Sequence, residues 1–190
     1  MPINLSKGQK VDLTKGNPAL KNIMVGLGWD VNAYDSGADF DLDAAAFMVG
    51  PTGKCPTEQE FVFYGNLEHS SGAVKHMGDN LTGAGDGDDE QIVIDLASVP
   101  AQYDRIVIVV NIYQAVPRKQ HFGMIENAFC RVVDARNNQE LCRYNLTENY
   151  SNMTSMIFGE VYRHNGEWKF NAIGQGTTDP GLGELVRKYV

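Results

Sequence analysis

The chain lacks any apolar run long enough to cross a bilayer. Its longest, 44–49 and 106–110, hold only five or six residues, whereas a spanning helix needs about 20. No apolar core follows the N-terminal MPINLSKGQKV, so no secretion signal is read there. Cysteine is scarce: Cys55, Cys130 and Cys142 are an odd number, and none stands in a CxxC pair. That excludes a disulfide framework and a thiolate zinc site, and it fits a cytoplasmic protein with reduced thiols. Cys130 and Cys142 could still face each other across a hairpin. Helix signals are few. They are confined to 98–104, where Ser98 can cap and Pro100 fits an early helical position, and to 183–189.

Lys and Arg are missing from two stretches. Residues 22–53 carry five Asp and no basic residue, and residues 76–104 carry seven acids and none. Setting those twelve aside leaves twelve acids against sixteen Lys and Arg. The net charge of −8 therefore belongs to two segments rather than to the surface at large. Phosphates would be repelled there, so nucleic acid is excluded as their partner.

Strand signals dominate the rest. Short apolar or alternating runs lie at 23–29, 44–49, 61–64, 92–96, 106–113, 128–133, 141–146, 156–163 and 168–173, each bounded by Gly, Pro, Asn, Asp or Ser. Asn165-Gly166 marks a tight hairpin. Ala135-Arg136-Asn137-Asn138 reads as another, and 4–15 as a third, turning at Lys7-Gly8. Many strands at about ten-residue spacing with few helices point to an all-β fold. A single domain is expected over 1–190: an antiparallel β-sandwich of two sheets with a few short helices. Loops at one end of such a sandwich commonly form a binding site. Trp29 and Trp168 fall in strands and read as core. His69, His76, His121 and His164 stand among polar residues and read as surface. Arg118-Lys119-Gln120-His121-Phe122 reads as a solvated basic loop.

The acidic segments carry the chemistry. In 39–43, Asp39, Asp41 and Asp43 alternate with Phe40 and Leu42. An extended chain puts those carboxylates on one side, about 6.5–7 Å apart, and the apolar pair on the other. Asp30 could approach from a neighbouring loop. In 78–90, GDNLTGAGDGDDE, Asp79, Asp86, Asp88, Asp89 and Glu90 crowd a glycine-rich stretch. Two unit charges about 5 Å apart repel by roughly 3 kcal/mol at an effective dielectric near 20, and by under 1 kcal/mol in water. A converged loop therefore calls for a cation, whereas a splayed one does not. The donors are oxygens, which argues against zinc or copper and for a hard ion. Calcium, with its tolerance of irregular oxygen shells, fits better than magnesium. The EF-hand pattern is excluded: counted from Asp39, Ala44 stands where Gly is needed and Gly50 where Glu is needed. Gly26-Leu27-Gly28 lacks the third glycine and the helix of a dinucleotide fingerprint, and reads as a turn between strands. Nucleophilic serine motifs fail on spacing.

Five stretches, VGLGWD (25–30), DFDLDAAAF (39–47), FVFYGNL (61–67), HMGDNLTGAGDGDDE (76–90) and GEVYRHNGEWKFNAIGQG (159–176), closely resemble the TerD family of tellurium-resistance and bacterial stress proteins. The resemblance runs through nearly the whole chain. It implies a sandwich of two antiparallel sheets, C2-like in general architecture, calcium held by the acidic loops as two neighbouring ions, a cytoplasmic bacterial setting and no enzymatic activity. The ligands it implies are Asp30, Asp39, Asp41, Asp43, Asp79, Asn80, Asp86, Asp88, Asp89 and Glu90. The resulting expectation is a non-enzymatic calcium-binding protein of a tellurite-resistance or general stress response. Its ordered loops would present a surface to other proteins of that system. Calcium-dependent membrane attachment and a metal-dependent phosphohydrolase are the alternatives, and no membrane partner is expected.

Overall fold

Strand alternation in this chain resolves into two stacked sheets. The computed structural model describes residues 2–30, 40–78, 87–148 and 150–190. In chain order, the strands are β1 (Ile3–Leu5), β2 (Lys10–Asp12), β3 (Asn22–Gly28), β4 (Leu42–Val49), β5 (Phe61–Val62), β6 (Val74–His76), β7 (Glu90–Asp95), β8 (Arg105–Ile112), β9 (Phe129–Asp134), β10 (Gln139–Asn145), β11 (Ser155–His164) and β12 (Glu167–Thr177). Two short helices accompany them, α1 (Ala115–Arg118) and α2 (Leu182–Val186). Among the described residues there are two six-stranded sheets, ordered β1-β10-β9-β3-β7-β6 and β2-β12-β11-β8-β4-β5. Strand pairing is antiparallel except between β1 and β10.

The core lies between the sheets. Ile23, Val25 and Leu27 of β3, with Ile92 and Ile94 of β7, face Leu42, Ala44, Ala46 and Met48 of β4 and Ile106, Ile108 and Val110 of β8. Trp29 and Trp168 join this core, as read from the sequence. The alternate residues of β4 and β8 are buried as well. Ala45, Phe47, Val107 and Val109 form a second cluster on the far face of their sheet, covered by Leu185 and Val186 of α2. A sheet buried on both faces needs apolar side chains at every position, which accounts for the unbroken runs AAAFMV and IVIVV.

Several local expectations are corrected. Residues 4–15 are no hairpin: β1 pairs with β10 in one sheet and β2 with β12 in the other. The chain crosses between sheets there, and alternation does not reveal which sheet a strand joins. Residues 98–104 form turns rather than a helix. Asn165 and Gly166 do take the positive φ of the expected tight turn, 52° and 77°. Cys130 and Cys142 lie on paired strands but out of register, opposite Tyr144 and Val132 respectively. All three cysteines are buried free thiols. No helix among the described residues is long and apolar enough to cross a membrane.

At the end of β9, Arg136 grips buried Asp134 through Nε (3.0 Å) and Nη2 (2.6 Å). These hydrogen bonds hold the Asp134 carboxyl below its usual range, against the opposing effect of burial. A depressed folded-state pKa contributes stability above the unfolded value, about 3.9, which is lost as pH falls through the folded value. Asp134→Asn should therefore be less stable than the parent at pH 7. The gap should close in urea melts taken below pH 3.

Candidate metal centre

Antiparallel pairing brings the acidic segments to one end of the sandwich. β3 ends where β7 begins, with Leu27 opposite Glu90. In the other sheet β4 begins where β8 ends, with Leu42 opposite Ile112. Glu90 ties the two ends together. Its side chain is fully covered and points inward with Ile92 and Ile94, and its Oε2 accepts the Ala44 N–H at 2.6 Å. β5 pairs with β4 only at Ala46 and Phe47, so it leaves the earlier part of that strand edge uncovered. The Glu90 carboxylate serves this stretch in place of a neighbouring strand.

His76 packs beside Glu90, Nε2 to Oε2 3.4 Å, with its ring also covered. Its Nδ1 accepts the Gly78 N–H at 3.1 Å. With Nδ1 accepting from Gly78, Nε2 is the ring nitrogen that faces Glu90 as a donor. The surface reading of His76 is thus corrected. His69 is likewise buried, between Glu60 (Nε2 to Oε2 2.5 Å) and Ser71 (Nδ1 to Oγ 2.7 Å). In the basic loop Gln120 and Phe122 are buried, while Arg118 stacks over Tyr113.

Asp89 bridges onto the end of β3. Its N–H donates to the Leu27 carbonyl at 2.8 Å, and its Oδ2 accepts the Trp29 N–H at 2.8 Å. Burial pushes its carboxyl above the usual range. The Trp29 hydrogen bond opposes that rise, and the charges of Asp88 and Asp30 add to it. Asp30 is exposed; its N–H donates to the Glu126 carbonyl at 3.0 Å, and its side chain accepts from Asn127 Nδ2. Asp41 and Asp43 are buried. Phe40 and Leu42 enter the inter-sheet core while Asp43 lies with Ala45 and Phe47 on the far face of the sheet, so the expected division of sides holds for these three residues. The Asp41 carbonyl accepts the Tyr113 N–H at 2.7 Å, and Asp43 lies opposite Asn111 on β8. Asp43 and Asn111 also line a cleft of about 700 Å³, walled by Phe47, Phe61, Tyr113 and Leu182.

Asp88 differs from the other acids. Arg131 donates to both of its oxygens, Nε to Oδ1 at 2.8 Å and Nη2 to Oδ2 at 2.7 Å, and the Asp88 side chain is fully covered. Gly26 makes room for it: a Cβ there would lie 2.4 Å from the Asp88 carboxyl carbon. Gly26 and Gly28 are thus not a turn but part of β3, small because Asp88 and the Phe129 ring lie over them. Arg131 carries no motif that would have singled it out in the sequence, and the two glycines stood out there for a reason other than the one the structure gives.

Asp39, Asp79, Asn80 and Asp86 fall outside the described residues. Among the described residues no three His, Cys, Asp or Glu side chains meet closely enough to hold an ion. The donors that the two segments bring to this end are carboxylate oxygens, the ligand type a hard cation takes. His76 has its ring nitrogens directed at Gly78 and Glu90.

A sandwich of two six-stranded sheets with acids gathered at one end defines a class. A TerD domain model matches residues 1–189, and the chain belongs to the TerD family. It is 53% identical over 189 residues to general stress protein 16U of Bacillus subtilis, covering 100% of this chain and 97% of that one. It is 51% identical over 189 residues to the tellurium resistance protein TerD of Serratia marcescens, covering 100% and 97%. The crystal structure of a homologue of telluride resistance protein (TerD) from Streptomyces coelicolor A3(2) shares the fold, with a TM-score of 0.65, 23% identity, and 84% and 92% of the two chains covered.

Proposed function

We propose that this chain is a non-enzymatic calcium-binding protein of a tellurite-resistance or general stress response, working in the cytoplasm. The observation that carries the reading is the meeting of two acid-rich segments at one end of the sandwich, where Glu90 accepts the Ala44 N–H and half-buried Asp89 lies near the charge of Asp30. Asp30, Asp41, Asp43 and Asp89 are the described residues that would supply oxygens, with Glu90 buttressing them from within. Asp39, Asp79, Asn80 and Asp86 would complete two sites. Calcium, when bound, neutralises these carboxylates. The chain's own part is to hold them in place before the ion arrives. Glu90 holds the two sheets at this end, Asp89 fastens the second segment to β3, and Tyr113 fastens the first through the Asp41 carbonyl.

Ordering these loops would give other proteins of the response a fixed surface to read. That surface includes Tyr113, whose N–H bonds the Asp41 carbonyl, and the 62%-exposed Val116 three residues on. Direct capture of tellurite fits poorly. The acidic end repels an anion, and burial pushes the Cys55 and Cys142 thiols up to about 12 and Cys130 higher still. Such thiols are poor nucleophiles, so resistance on this reading is indirect. Calorimetric titration of metal-stripped protein tests the reading. Calcium should bind at roughly 10⁻⁵ M or tighter, and Asp89→Asn should weaken it. Binding no tighter than millimolar, unchanged by Asp89→Asn, would refute it.

A further inference from the structure

We propose that Arg131 is a positioning residue for the acidic end: it holds Asp88 out of the ligand set and thereby fixes which neighbouring acids face the ion. This rests on the calcium reading above. The stretch Asp88-Asp89-Glu90 poses a register problem, because it offers three successive carboxylates of nearly the same chemistry. A slip of one residue would turn every side chain of β7 to the other face. The observed register needs Glu90 inward on Ala44, Asp89 at the Trp29 amide and Asp88 outward.

The outer position is built to select its acid. Arg131 of β9 presents a two-point fork that matches one carboxylate. Gln91 Nε2 adds a third hydrogen bond to Asp88 Oδ2 at 3.2 Å. Gly26 leaves a space that a Cβ would close. The fork is itself braced: Arg131 Nη1 reaches Glu140 at 3.3 Å, and Arg143 reaches the same carboxylate at 3.7 Å. The Arg143 guanidinium lies 3.8 Å from the centre of the Phe129 ring, and that ring occupies the space above Gly28. Four strands thus combine to seat one side chain. With both oxygens paired to a guanidinium, Asp88 has its charge balanced before any cation arrives. The acid-rich motif therefore contains one anchor among its ligands.

The test is a cycle of Arg131→Gln, Asp88→Asn and the double variant. It is read by calcium calorimetry and by amide hydrogen exchange at Trp29 and Asp89. Each single variant should weaken calcium by about tenfold and speed exchange at both amides, and the double should recover part of both losses. Should Arg131→Gln fail to fold, Arg131→Lys keeps the charge but loses the fork, and should show the same two changes. The proposal is overturned if either Arg131 variant binds calcium as tightly as the parent. It is also overturned if the Asp88→Asn loss passes undiminished into the double variant, as it would for a direct ligand. If the parent binds no calcium, the functional reading fails alone and exchange decides the anchor: unchanged exchange at Trp29 and Asp89 in Arg131→Gln sinks it.

Discussion

Glu90→Ala should lower stability by about 3 kcal/mol. The estimate combines a lost charge-assisted hydrogen bond with the void left by a buried side chain. The Ala44 N–H would lose its acceptor at a strand edge where β5 does not reach, and the His76 Nε2–H would lose the carboxylate it points at. For a chain of 190 residues that corresponds to a fall in Tm of roughly 6–12 °C. Glu90→Gln separates the two roles of this side chain. Its amide oxygen can still accept from Ala44, so the metal-free protein should melt close to the parent, while calcium, which responds to the lost charge, should bind more weakly. Thermal melts of both variants with chelator and with calcium check the pair of expectations. A Glu90→Ala protein as stable as the parent would show that the carboxylate does not join the sheets.

Calcium itself should raise the melting temperature. A ligand that binds only the folded chain adds about 2.7 kcal/mol when present at 100 times its dissociation constant, or roughly 5–10 °C for a domain of this size. The gain should be specific to calcium over magnesium, because an irregular set of protein oxygens suits the larger ion and magnesium keeps its waters. It should shrink in Asp89→Asn, which removes one of the charges whose mutual repulsion the ion offsets. Equal stabilisation by both ions would point to simple screening of the acidic end rather than to a built site.

How much of this was legible in the sequence depended on whether the determining contacts are local. The runs 44–49 and 106–113 were read as strands from apolar continuity and the turn residues that bound them, and the second cluster beneath α2 explains why they do not alternate. The Asn165-Gly166 turn was legible because its signal is a backbone preference of two adjacent residues. The three-residue β6 carries too short a pattern to register. His69 and His76 looked like surface residues because the acids that cover them, Glu60 and Glu90, come from other segments.

In the acidic segments, composition pointed to the residues that gather at one end but did not distinguish their roles. Asp88, Asp89 and Glu90 are adjacent acids. One pairs with an arginine 43 positions away, one takes the Trp29 amide, and one crosses to the opposite sheet. Gly26 looked like a turn residue because glycine is read first for its backbone freedom. Its actual reason is the carboxylate lying over it.

Crystals grown with calcium and measured by anomalous diffraction decide whether the two acidic segments share an ion. An ion is expected 2.3–2.6 Å, the usual calcium–oxygen range, from oxygens of both segments, Asp41 or Asp43 on one side and Asp89 on the other, with Asp88 still on Arg131. Ions found only on one segment or at lattice contacts, with the two segments separated by water, would contradict it.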